Sequence, residues 1–109
     1  MGNLVDLLPS NHPLVGVWQG DDEDARAQYT ITVLDGRFVV NAIDAIDGEV
    51  FEVSNIKWDS KNGFLSFDSY MSSTERLGHT TFRQLNNDSV EVTFTFTDRS
   101  LWVRVNEVN

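Results

Sequence analysis

Two histidines, His12 and His79, seventeen Asp and Glu residues and no cysteine are the groups from which any catalytic or metal chemistry of this chain must be built. Ser72 or Ser73 with His79 and Asp68 supplies the residue types of an acyl-transfer triad, in which an imidazole takes the hydroxyl proton and a carboxylate orients the ring. Neither serine sits in a strained nucleophile turn, and these three residue types co-occur by chance in most domains. His12 precedes Pro13, so no His-rich metal set can be assembled, and there is no thiolate to contribute to one. The acidic runs Asp21-Asp22-Glu23-Asp24 and Asp44-x-x-Asp47-Gly48-Glu49 offer the oxygen ligands that hard cations want, but neither has EF-hand spacing. Asp and Gly are ordinary turn residues. The expectation is no catalytic set, no metal and no cofactor.

The chemistry that remains is recognition, and it depends on which side chains share a face. Short alternating apolar runs recur along the chain, broken by turn dipeptides, which is an all-β rhythm. The predicted strands are 14–20, 27–34, 37–44, 49–58, 64–70, 75–85, 89–97 and 100–106. Residues 3–8, with Leu4, Leu7 and Leu8, carry one helical turn at most. Every connection is too short for a crossover, so the fold class is a single eight-stranded antiparallel meander barrel. It forms one domain over 1–109, with an N-terminal plug segment at 1–13 and the barrel at 14–106.

Hairpin loops fix the faces. A two-residue turn at Asp35-Gly36 sets Val33 opposite Phe38, Ile31 opposite Val40 and Tyr29 opposite Ala42. A four-residue loop from Ser60 to Gly63 sets Trp58 opposite Leu65 and Ile56 opposite Phe67. A two-residue turn at Asp98-Arg99 sets Phe96, Phe94 and Val92 opposite Leu101, Val103 and Val105. For the loop Asn86-Asn87-Asp88, a three-residue reading puts Phe82 inside against Val92 and Arg83 outside; two or four residues reverse this. Burying Phe82 costs less than burying a guanidinium. A bulged three-residue loop, Ile46 to Gly48, links the halves and places Glu52, Ser54 and Ser69 inside with Trp58 and Phe67. A carboxylate in an apolar barrel needs a partner or water, so Glu52, Ser54, Ser69 and Tyr29 are the expected polar ligand contacts, with Trp58, Phe38 and Phe67 as the apolar wall.

Gly16-x-Trp18 on the first strand, a helical turn before it, about eight meandering strands and Arg104 on the last strand resemble the calycin group, lipocalins above all. Avidin-like proteins share the strand count, the lack of a C-terminal helix and a Gly-x-Trp first strand. The resemblance implies that Trp18 closes one end of the barrel and that Arg104 packs over it. It also implies binding of a small molecule in the lumen.

Formal net charge is −9, which disfavours nucleic acid and anionic membranes, since binding to either relies on clustered Lys and Arg. No apolar run approaches the roughly 20 residues of a membrane span. The N-terminal ten residues lack a basic region and a long enough apolar core for a secretory signal, so the acidic protein reads as cytoplasmic, with a processed secreted form left open. An eight-stranded barrel either holds one small ligand or is filled by side chains. The leading reading is a binder of a small apolar or cationic ligand. The alternative is a protein-interaction or inhibitor module using a filled barrel, with a homodimer compatible with it, and the third is an enzyme of unknown reaction.

Overall fold

The computed structural model describes residues 7–20, 26–86, 88–97 and 100–105. Seven strands form one antiparallel meander, ordered as in the chain: β1 (Gly16–Gln19), β2 (Ala27–Leu34), β3 (Arg37–Asp44), β4 (Val50–Asp59), β5 (Phe64–Met71), β6 (Arg76–Asn86) and β7 (Ser89–Thr97). The sheet curls into a half-barrel whose edges are β1 and β7. Curling brings Tyr29 of β2 within 5.2 Å of Phe67 on β5 and 5.6 Å of Phe82 on β6, ring centre to ring centre. Of the eighth strand expected over 100–106, the described residues 100–105 form no strand. Of the helical turn expected over residues 3–8, only Leu7 and Leu8 are described, and they are not helical.

The turn at Asp35-Gly36 has both residues at positive φ, 54° and 77°, as a tight two-residue hairpin requires. It pairs Val33 with Phe38, Ile31 with Val40 and Tyr29 with Ala42, as expected. Trp58 pairs with Leu65, also as expected. The β6–β7 hairpin pairs Asn86 with Ser89, a shorter loop than the expected three residues, and a register shift between Gln84 and Asn86 restores the expected pairing of Phe82 with Val92 and turns Arg83 outward onto Glu91, with Nε to Oε1 at 3.1 Å. The core is Leu14, Ile31, Phe38, Val40, Leu65, Phe67 and Phe82, all on the concave face.

The β3–β4 register also differs from the expectation. The β3–β4 loop has four residues rather than three, so Ala42 pairs with Phe51 and the Asp44 amide donates to the Glu49 carbonyl at 2.8 Å. The cause is Asp44. Its carboxylate accepts from the amides of Ile46 (2.8 Å) and Asp47 (3.3 Å) and from Arg26 Nε (3.0 Å), which organises the longer loop. A one-residue slip turns every side chain to the other face. Phe51 and Val53 therefore point inward, and Glu52 and Ser54 are exposed on the convex face. The ladder then shifts between Ser54 and Lys57, where Asn55 takes a φ of 54°. This bulge restores Trp58 to the concave side and leaves Ile56, expected inside opposite Phe67, exposed.

Candidate functional site

The concave face is where a barrel of this kind would recognise something, and the chain's own N-terminal segment lies across it. Leu14, Gly16 and Trp18 share the phase of a two-residue repeat, and Leu14 is fully buried. The Trp18 indole N–H donates to the Leu14 carbonyl at 2.9 Å, which ties strand β1 to the segment before it. Trp18 packs half-buried against the core. Two turns shape this segment: the His12 amide donates to the Pro9 carbonyl and the Val15 amide to the His12 carbonyl. The Leu8 amide donates to the Gly36 carbonyl, anchoring the segment on the β2–β3 turn.

His12 is the residue whose role the sequence did not reveal. Its ring stands edge-on to Phe38 and Trp58, with centres 5.0 and 5.3 Å away, and those two rings meet at 5.1 Å. Its Nδ1 accepts from the Leu14 amide at 3.1 Å, and burial lowers its pKa. The phase of Leu14 with Trp18 is the signal that this segment faces inward.

Deeper in the groove, Tyr29 bonds to the side chain of Thr80, which is itself buried. Burial raises the Tyr29 pKa, and the bond to Thr80 only partly offsets this. Ser69 is buried on the same face. Of the expected site, the structure brings Tyr29, Ser69, Trp58, Phe38 and Phe67 to the concave face and leaves Glu52 and Ser54 outside. Among the described residues no buried side-chain N or O atom lacks a partner.

Arg104, expected over Trp18, lies exposed in segment 100–105. The Ser-His-Asp set is divided. His79 Nδ1 meets Asp68 Oδ1 at 2.7 Å, and Asn55 Nδ2 donates to the other Asp68 oxygen at 2.8 Å. These bonds, Asn55 first and then His79, lower the Asp68 pKa. Ser73 instead donates to Glu49 through its hydroxyl (2.6 Å) and its amide (3.0 Å), and Ser72 Oγ lies 3.4 Å from the same carboxylate. The Ser73 hydroxyl bond is the main reason the Glu49 pKa is lowered. No cluster of three or more metal-ligating side chains occurs among the described residues, and none of their helices is long and apolar enough to cross a membrane. The run Asp21 to Asp24 and the turn Asp98-Arg99 lie outside the described residues.

Comparison with protein-family models, curated proteins and solved structures gives no match.

Proposed function

We propose that the chain is a calycin-like interaction module whose half-barrel is completed by an eighth strand beside β7 and whose partner is protein. One observation carries this reading. The groove that would hold a small ligand is occupied by Leu14, His12 and the aromatic core, whereas Phe94 and Phe96 on β7 and the apolar residues of segment 100–105 are exposed. Seating a strand of alternating apolar residues there would join Leu101, Val103 and Val105 to Phe96, Phe94 and Val92, and would supply ladder bonds to the free edge of β7.

The test is amide hydrogen exchange on the full chain beside a Leu101→Asp, Val103→Asp variant. Seating of the strand predicts slow exchange at alternate β7 amides in the parent chain and loss of that protection in the variant. Equal exchange in both rejects the reading.

A second reading, a small-molecule binder, is favoured by the convergence of Tyr29, Thr80 and Ser69 on the concave face. A few polar groups on an apolar wall is how such pockets are lined. Native mass spectrometry of the purified protein distinguishes the two, since a stoichiometric small molecule on the chain would favour this second reading.

A further inference from the structure

Leu101, Trp102, Val103 and Val105 are 93%, 86%, 80% and 82% exposed, and Phe94 and Phe96 on the concave side of β7 are 57% and 53% exposed. Large contiguous apolar exposure of this kind marks an interaction site. From the eighth-strand reading above, on which this step rests, we infer that the strand comes from a second copy of the chain: two molecules exchange residues 100–105 across their β7 edges.

Each copy carries both halves of such an interface. The acceptor is the β7 edge, which pairs with β6 on one side only. The donor is a segment in phase with it. Leu101 falls beside Phe96, Val103 beside Phe94 and Val105 beside Val92, so the apolar sets meet on one face. Arg104, opposite Thr93 on the other face, lies diagonal to Glu91 in a chain of net charge −9. Folding back within one chain would need a two-residue turn at Asp98-Arg99. Such turns demand left-handed backbone at both positions, which Asp-Gly supplies at residues 35–36 and which arginine disfavours. Exchange removes that demand by letting the segment run on to a neighbour, and a short hinge of unsuitable sequence is the usual invitation to it.

The chain has no cysteine, so introduced thiols report without background. Thr93→Cys and Arg104→Cys chains, refolded together and oxidised, place their thiols in one strand pair whose Cα atoms would be about 5.5 Å apart, within disulfide reach. Exchange predicts a mixed disulfide between the two variants and a solution mass of twice 12.3 kDa for the parent chain. It also predicts that Arg99→Gly, which creates a favourable Asp-Gly turn, shifts the parent dimer to monomer. A monomeric parent whose double-cysteine variant closes a disulfide within one chain overturns the exchange and leaves the eighth-strand reading standing. No disulfide in either arrangement, with a monomeric parent chain, overturns both.

Discussion

Leu7 covers Gly36 so closely that a Cβ on that glycine would stand 2.5 Å from Leu7 Cδ2 and 2.9 Å from Leu7 Cβ. Gly36, Gly48 and Gly63 have φ of 77°, 79° and 73°, and a Cβ on either of the latter two would meet nothing within 4 Å. Alanine at any of the three costs about 1 kcal/mol for the left-handed backbone. Gly36→Ala is expected to cost more than Gly48→Ala or Gly63→Ala in urea unfolding, and the excess measures the docking of the N-terminal segment on the β2–β3 turn.

Asn55 holds a left-handed φ of 54° while its amide donates to Asp68. Asparagine tolerates that conformation and a β-branched residue does not. Asn55→Val is expected to destabilise by about 2 kcal/mol, and Asn55→Gly by less. Chemical denaturation of both variants checks the order.

Asp44 is buried beneath Arg26, whose Nη2 lies 2.6 Å from Oδ2. Burial by itself raises the Asp44 pKa, but the amides of Ile46 and Asp47 together with Arg26 outweigh it and hold the value below 3.8. Hydrogen bonds likewise lower Glu49, Asp59 and Asp68. A carboxyl whose folded pKa is depressed contributes stability above its unfolded value and loses it as pH falls through the folded one. Melting temperature is therefore expected to hold above about pH 5 and to fall steeply below about pH 4. Asp44→Asn is expected to melt lower at neutral pH and to lose less on acidification.

Burial of His12 against Phe38 and Trp58 lowers its pKa from 6.5. The unfolded chain then binds the proton more readily than the folded one, so this contribution is complete above about pH 7 and shrinks as pH falls through the unfolded value. His12→Asn, which keeps an acceptor for the Leu14 amide, is expected to flatten the stability profile between about pH 7 and 5. Thermal melts across that range decide it.

Phe82 is fully buried, so Phe82→Ala is expected to cost about 3–5 kcal/mol. Glu52→Gln, on the convex face, is expected to change stability by less than about 0.5 kcal/mol. Equilibrium unfolding of the two variants tests the β4 register directly, because an inward Glu52 would not tolerate its charge so quietly.

What the sequence determined by itself was local. Asp35-Gly36 set the β2–β3 register, because only a few residue pairs accept two left-handed positions. Alternation placed Phe67, Leu65 and Ile31 inside, and the poor solvation of a guanidinium in a core predicted that Phe82 rather than Arg83 would point inward. The tertiary structure decided what depends on partners distant in sequence. Asp44 shapes its loop through Arg26, eighteen positions away, and so turns Glu52 out of the site; Asn55 stabilises its bulge through Asp68, thirteen positions on. Whether the groove stays open depended on how the N-terminal segment, expected as a plug, is seated. The phase of Leu14 with Trp18 points the segment inward, but His12 meets Phe38 and Trp58 only because the curled sheet presents those rings to it.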